Sequence, residues 1–156
     1  MELFRIAKTK HINDLSGAGA RMYGGRWNHK EVYLIYTSES RALAALEYLV
    51  HVPMAMAPTD LSIMQIDIPD GIVPQQLDVP SLPPNWKEYP PPQALATLGT
   101  NWARLNQSLL LRVPSVVIVH EFNILINPAH PDFKLINPSH LEKFVLDNRM
   151  LSQQGT

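Results

Sequence analysis

Glycines surround the first candidate for chemistry, an arginine at position 26. Four of the seven glycines fall within residues 15–28, and two of them directly precede Arg26 in the run 24–28 (GGRWN). Glycine at this density indicates unusual backbone angles or a close backbone approach, so we interpret the segment as a loop. A guanidinium binds phosphate or ribose oxygens through a planar fork, and nearby backbone N–H groups can join it. The competing interpretation is an ordinary surface arginine in a tight turn.

A carboxylate on a predicted helix is the second candidate. Residues 38–51 (SESRALAALEYLVH) predict the best helix of the chain, ended by Pro53. Glu47 has an apolar residue one turn away on each side, so it borders the apolar stripe, and His51 lies on the same edge. A carboxylate there is partly desolvated unless a positive group meets it. The spacing alone does not separate this from a border glutamate in an ordinary salt bridge.

Two hydroxyl side chains complete the set of candidates. Tyr36 stands at the end of a predicted strand, 31–37, ten positions after Arg26, where it could stack on a ring or bond a sugar hydroxyl. Ser115 lies near the start of another predicted strand, 113–119, without the Gly-x-Ser-x-Gly elbow of a nucleophilic serine. The alternatives, a core tyrosine and a buried, hydrogen-bonded serine, stay open.

Spacing excludes two other kinds of site. The six histidines form no His-x-x-x-His pair, and the position that a zincin motif starting at His120 requires is Ile124, so we predict no metal site. Gly17 and Gly19 suggest a dinucleotide fingerprint, but its third glycine position holds Met22, and no clear strand and helix frame it. A Rossmann-type site is therefore excluded.

The elements that must position these residues do not alternate regularly. Strands are predicted at 3–6, 31–37, 61–68, 113–119, 122–126 and 143–146, and helices at 38–51, 93–98 and 101–110. A proline-rich stretch, 73–92, is predicted to be irregular, and stretches of that length are usually functional or mobile. Because strands gather late in the chain, we predict a single α+β domain over residues 1–156, with mixed or antiparallel sheets and flanking helices.

Composition narrows the class of protein. The 156 residues are 46% hydrophobic, enough for a core without disulfides, and the absence of cysteine excludes thiol catalysis. Thirteen basic and 14 acidic residues give a net charge of −1, so there is no basic field for nucleic acid. No apolar run reaches the ~18 residues of a membrane span, and the N-terminus has no signal-peptide core. We expect a soluble, cytoplasmic protein.

Several short motifs, in order along the chain, resemble those of the RES domain family. They are 24–28 (GGRWN), 36–38 (YTS), 46–51 (LEYLVH), 111–115 (LRVPS), 123–132 (NILINPAHPD) and 144–149 (FVLDNR). The resemblance covers essentially the whole chain. The family is named for an Arg, a Glu and a Ser, which correspond here to Arg26, Glu47 and Ser115.

This resemblance implies a specific activity. RES proteins are toxins of bacterial toxin–antitoxin pairs, with a fold similar to mono-ADP-ribosyltransferases, and they consume NAD by breaking the bond between nicotinamide and ribose. NAD is thus expected as substrate, without a cofactor. The expected partner is a helix-turn-helix antitoxin that covers the active site. A toxin dimer within the complex would fit the family pattern. No direct binding to nucleic acid or to a membrane is expected. The implied catalytic residues are Arg26, Glu47, Tyr36 and Ser115, and the implied substrate contacts are Gly25, Arg26, Trp27, Asn28, Tyr36 and Ser115.

The residues suit such chemistry. Cleavage of the nicotinamide glycoside passes through an oxocarbenium-like state, and nicotinamide leaves as a neutral group. The reaction therefore needs a clamp for the pyrophosphate and a carboxylate near the positive ribose, for which Arg26 and Glu47 are candidates. The acceptor stays open among water, phosphate and a protein. A module that binds NAD or an antitoxin without turnover is the non-enzymatic alternative.

Overall fold

A seven-stranded sheet is the frame of the protein, which the computed structural model describes over residues 1–52 and 58–151. The strands are β1 Glu2–Lys8, β2 Ile35–Ser38, β3 Leu61–Asp67, β4 Gln75–Gln76, β5 Leu110–Pro114, β6 Phe122–Ile126 and β7 Asn137–Phe144. Their order across the sheet is β4-β5-β6-β2-β1-β3-β7. Only β4 and β5 run parallel; the other neighbours pair antiparallel.

Helices and short turns connect these strands. The helices are α1 Ala18–Tyr23, α2 Arg41–Leu49, α3 Gln93–Leu105 and α4 Asn148–Leu151, and 3₁₀ turns cover Thr9–His11, Val79–Ser81 and Pro131–Leu135. The combination of a largely antiparallel sheet with separate helices confirms the predicted α+β class. None of these helices is long and apolar enough to cross a membrane, within the part of the chain that the structure describes.

The middle of the sheet is buried on both faces. Along β6, Ile124 and Ile126 join one apolar cluster, whereas Leu125 joins another, as the two-residue period of a strand requires. The second cluster also contains Trp27 from the glycine-rich loop and Trp102 from α3. The end of the loop is thus anchored in the core by Trp27.

Helix α2 is shorter than the predicted helix 38–51. It begins at Arg41 because Ser40 is its N-cap, with Ser40 Oγ accepting the backbone N–H of Leu43 at 3.1 Å. Ser38 belongs instead to β2, and the predicted end at Pro53 lies outside the described residues.

Helix α3 replaces two predicted helices, 93–98 and 101–110. The helix continues through Gly99, where a Cβ atom would lie 1.9 Å from the carbonyl oxygen of Trp27. This glycine therefore permits close packing of the helix on the loop. The helix ends at Asn106, a left-handed C-cap with φ of +52°.

Three predicted strands have different boundaries. The strands at 3–6, 61–68 and 122–126 are confirmed, but that at 31–37 begins only at Ile35. The prediction of a strand at 113–119 was wrong, because β5 ends at Pro114 and residues 115–121 form a turn. The last strand starts at Asn137 rather than 143, and it tolerates a proline because it is an edge strand.

Two predicted irregular segments contain short elements. The loop at 15–28 includes α1, which starts after Gly17 in a left-handed conformation with φ of +77°. The stretch at 73–92 includes β4 and one 3₁₀ turn and is otherwise without helix or strand.

Candidate active site

A cavity of about 990 Å³ lies where the glycine-rich loop, α2 and the ends of the central strands meet. This volume is at the upper end of the range that suits small-molecule ligands. The polar, glycine and aromatic residues that matter most among those lining it are Arg5, Gly25, Arg26, Trp27, Tyr36, Glu47, His51, Lys87, Tyr89 and Asn123. Arg26, Tyr36 and Glu47, which lie far apart along the chain, are thus brought together in one cavity.

The Glu47 carboxylate is held on one of its two oxygens. Its Oε1 accepts the Ser115 hydroxyl at 2.7 Å and the Asn123 Nδ2 at 2.5 Å. Within residues 1–52 and 58–151, its Oε2 accepts no hydrogen bond and the carboxylate forms no ion pair. An ordinary salt bridge is therefore not its role in this structure. A fixed carboxylate with one unused oxygen can offset positive charge on a ligand.

Ser115 lies behind Glu47 rather than at the cavity wall. Its side chain is buried, and its hydroxyl donates to Glu47 while accepting the N–H groups of Val117 and Ile118 at 3.1 and 3.0 Å. One donor and two acceptor positions are all that a serine hydroxyl has. Ser115 is not among the residues that line the cavity, so the structure gives the implied contact between Ser115 and substrate no support, and the hydroxyl contacts the Glu47 carboxylate instead.

Arg26 is not an ordinary surface arginine, and its guanidinium already donates hydrogen bonds within the protein. Its Nη1 donates to the Trp86 carbonyl at 2.7 Å, and its Nη2 donates to the Glu88 carbonyl at 3.2 Å. The guanidinium thereby ties the proline-rich stretch to the cavity. Partial burial lowers the pKa of Arg26, and Glu47 and Tyr36 oppose that shift. The group remains a cation, because an arginine pKa lies far above neutrality.

Tyr36 is a neutral hydrogen-bonding group under the glycine-rich loop. Its hydroxyl donates to Asn28 Oδ1 at 2.7 Å and accepts the Trp27 N–H at 3.1 Å. Burial raises the pKa of Tyr36 well above its usual value. Gly25 permits this arrangement, since a Cβ there would lie 2.7 Å from the tyrosine oxygen. The ring lines the cavity, and the hydroxyl supports the loop that carries Arg26.

Trp27 and Asn28 serve mainly to hold the loop. Asn28 is buried, and its Nδ2 donates to the carbonyls of Ala20 and Val32 at 2.8 and 3.2 Å. It is not among the residues that line the cavity, so the structure gives its expected role as a substrate contact no support. Trp27 is also buried and reaches the cavity wall.

Arg5 and Asn123 are the site residues that sequence reasoning missed. Arg5 lies in β1 and lines the cavity, and its Nη1 donates to the carbonyls of Ile12 and Asp14, both at 2.8 Å. Burial lowers the pKa of Arg5, against the effect of Asp14. The signal was present: a charged residue inside the apolar strand segment 3–6 needs a buried polar partner. Asn123 opens the motif 123–132, but nothing in that motif assigned it to the site.

The described residues contain no group of three or more metal-ligating side chains. His51 follows the end of α2, is exposed and also lines the cavity, as Glu47 does. The cavity lining thus includes the guanidinium groups of Arg5 and Arg26, the Lys87 ammonium, the carboxylates of Asp14 and Glu47, and several hydrogen-bonding side chains.

The fold and this site define a class of α+β domain, and comparisons identify the family. A family model described as RES domain matches residues 2–147. The "Prs ADP-ribosylating toxin" of Sphingobium sp. (strain YBL2) is 40% identical over 147 residues, covering 93% of this chain and 91% of that protein. A "Toxin Res" of Photorhabdus laumondii subsp. laumondii is 35% identical, covering 97% of each. The chain therefore belongs to the RES domain family, and these relatives are named toxins.

A solved structure shares the fold. A chain of the M. tuberculosis MbcT-MbcA toxin-antitoxin complex superposes with a TM-score of 0.71 at 17% sequence identity. The match covers 96% of this chain and 86% of that chain. The similarity therefore extends across the whole sheet and its helices.

Proposed function

We propose that this chain is the toxin of a bacterial toxin–antitoxin pair and that it cleaves NAD between nicotinamide and ribose. The observation that carries the proposal is the Glu47 carboxylate, held on Oε1 and unused on Oε2, in a cavity that also contains two guanidinium groups. An anionic dinucleotide that develops positive charge on one ribose requires this combination of charges.

The two arginines supply the binding part of the mechanism. Arg5 donates through Nη1 alone, so its Nε and Nη2 have no partner within residues 1–52 and 58–151. Arg26 lines the same cavity and donates to two carbonyls. A guanidinium has five donor hydrogens, so both groups keep donors for the pyrophosphate oxygens.

Glu47 supplies the electrostatic part. The bond between ribose C1′ and the nicotinamide nitrogen breaks, and its electron pair leaves with nicotinamide as a neutral base. The positive charge that develops on the ribose faces Oε2, which lowers the barrier because the carboxylate is already oriented. The acceptor oxygen then bonds to C1′, and a proton is released to solvent when the acceptor is water. No strong general acid is required.

Water or inorganic phosphate is the acceptor in this proposal. Transfer of ADP-ribose to a protein is the second candidate, and the Sphingobium relative favours it, since that protein is named an ADP-ribosylating toxin. The two candidates share the bond that breaks and the residues that break it. They differ only in which nucleophile reaches C1′.

An antitoxin is the proposed protein partner, as the toxin–antitoxin complex of the fold neighbour suggests. The family resemblance adds that it carries a helix-turn-helix domain, covers the cavity and assembles with a toxin dimer in the cytoplasm. The exposed side chains of Tyr23 and Tyr89 at the cavity lining offer aromatic surface for such a contact.

Nicotinamide release from NAD by the purified, antitoxin-free protein tests the proposal. Wild type should release nicotinamide, Arg26→Ala should release far less at NAD concentrations below the wild-type KM, and the dependence on added phosphate separates phosphorolysis from hydrolysis. Labelling of a protein from NAD that carries a tagged adenine would support transfer instead. NAD binding without release or labelling would favour the non-catalytic module and overturn the proposal.

A further inference from the structure

Asn123 connects the Glu47 carboxylate to the end of the central strands. Its Nδ2 donates to Glu47 Oε1 at 2.5 Å, and its Oδ1 accepts the Ser38 hydroxyl at 2.6 Å. A carboxylate can only accept, so the amide must turn its nitrogen toward Glu47 and its oxygen toward Ser38. The orientation of the amide is therefore determined by its two neighbours.

The backbone around this amide is held on both sides. Asn123 of β6 pairs with Ser38 of β2 on one side and with Val113 of β5 on the other. Ser38 is 4% exposed, and it also lies opposite Phe4 of β1. Side chains on paired strands hold their positions better than side chains on loops, so Ser38 and Asn123 form a rigid support.

Ser115 alone would leave the carboxylate free to turn. The terminal torsion of a glutamate is broad, so a single hydrogen bond to Oε1 allows the second oxygen to move. A second donor from β6 fixes the plane of the carboxylate. Ser115 comes from the turn after β5, so the two donors approach Oε1 from two different elements.

We propose that Asn123, oriented by Ser38, is a positioning residue that directs Oε2 of Glu47 toward the ribose. The inference rests on the proposed role of Glu47 and adds which oxygen acts. Oε1 is the anchored oxygen, held by Ser115 and Asn123, and Oε2 is the oxygen that meets the developing positive charge. Asn123 acts through Glu47 and not by contact with the reacting atoms.

The kinetic test compares Asn123→Ala, Ser38→Ala and the double variant with Asn101→Ala, an exposed asparagine of α3, as the control. Loss of orientation should lower kcat for nicotinamide release about 10- to 100-fold in Asn123→Ala, with KM within about twofold. Ser38→Ala should lower kcat about 3- to 10-fold, and the double variant should be no worse than Asn123→Ala, because the serine acts only through the amide. The inference would be overturned by an unchanged kcat in Asn123→Ala, by a double variant whose loss of kcat is the product of the two single losses, or by a rise in KM alone.

A spectroscopic test does not depend on turnover or on Asn123→Ala retaining its fold. The side-chain amide protons of Asn123, assigned by nitrogen-15 labelling of asparagine with the backbone assignment, should shift in Glu47→Gln and in Ser38→Ala but not in Asn101→Ala. If wild type releases no nicotinamide, the proposed function fails, while these signals still report on the support of Glu47. Amide signals that ignore both substitutions would refute the positioning role.

Discussion

Two sets of residues at the cavity are built by different means. The first set, here called the carboxylate wall, is Glu47 and Asn123 of the cavity lining with Ser115 behind them, and it is a network of side chains that leaves one oxygen unused. The guanidinium wall, Arg5 and Arg26, donates to backbone carbonyls of its own chain. The first wall is complete without a ligand, whereas the second already uses part of its hydrogen-bonding capacity.

We infer from this difference that the carboxylate wall acts in the chemical step and the guanidinium wall in substrate binding. A carboxylate that does not need to reorganise stabilises a transition state efficiently. An arginine that already donates to carbonyls has fewer hydrogens left for an anion, so it gains less from the ligand. We therefore expect substitutions in the carboxylate wall to act on kcat and substitutions in the guanidinium wall to act mainly on KM.

The largest effect is expected from Glu47→Gln. The amide oxygen can still accept from Ser115 and Asn123, so the side chain keeps its place but turns a neutral NH₂ toward the ribose. We expect kcat for nicotinamide release to fall by about 10²- to 10³-fold, with little change in KM. Steady-state kinetics measure this, with Glu121→Gln, an exposed glutamate of the same turn as Ser115, as the control. A rise in KM at constant kcat would contradict the comparison.

A smaller effect on turnover is expected from Arg26→Lys. A lysine keeps the charge but cannot donate to Trp86 and Glu88 in a planar fork, so both the pyrophosphate clamp and the proline-rich stretch are weakened. KM for NAD should rise about tenfold, with a smaller change in kcat. Trypsin should also cut faster after Lys87. Arg104→Lys, an exposed residue of α3, is the matched control, and equal KM values would show that the fork is not used.

Arg5→Lys should change KM less than Arg26→Lys. Arg5 donates through one nitrogen to the carbonyls of Ile12 and Asp14, and a lysine ammonium can replace one of these bonds. We expect KM for NAD to rise about threefold and the free energy of unfolding to fall by about 1 kcal/mol. Steady-state kinetics with NAD measure KM, and chemical denaturation measures the free energy of unfolding. A loss of kcat as large as that of Glu47→Gln would place Arg5 with the chemistry instead.

The sequence indicated the members of the site better than their contacts. A glycine-rich run, a strand end and a helix edge made Arg26, Tyr36 and Glu47 candidates, and the resemblance to the RES domain family selected them. The contact of Ser115 with Glu47 joins residues 68 positions apart, and that of Asn123 joins residues 76 apart. Such contacts depend on the sheet order, in which β6 lies beside β2, and no local pattern encodes that order.

Some predicted helix and strand boundaries were wrong for a related reason. Local propensities predicted two helices on either side of Gly99 and a strand at 113–119 that continues past Pro114. Tertiary packing decided both: the loop carbonyl of Trp27 needs the space at Gly99, and the Ser115 hydroxyl turns the chain by accepting two backbone N–H groups. Local propensity is a weak guide where such contacts compete with it.

The smallest effect on turnover is expected from Tyr36→Phe, which tests the support of the guanidinium wall. The substitution leaves Asn28 Oδ1 and the Trp27 N–H without their partner, so the free energy of unfolding should fall by about 1–3 kcal/mol near neutral pH. The folded protein holds the Tyr36 proton more tightly than the unfolded chain, since burial raises the pKa of Tyr36. Wild type therefore loses stability as the pH rises above about 10, the usual tyrosine value, and the variant lacks that loss. Denaturant unfolding from pH 7 to 11 should show the gap between the two proteins narrowing. A constant gap would mean that the hydroxyl is not buried as the structure has it, and a large fall in kcat would place Tyr36 in the chemical step.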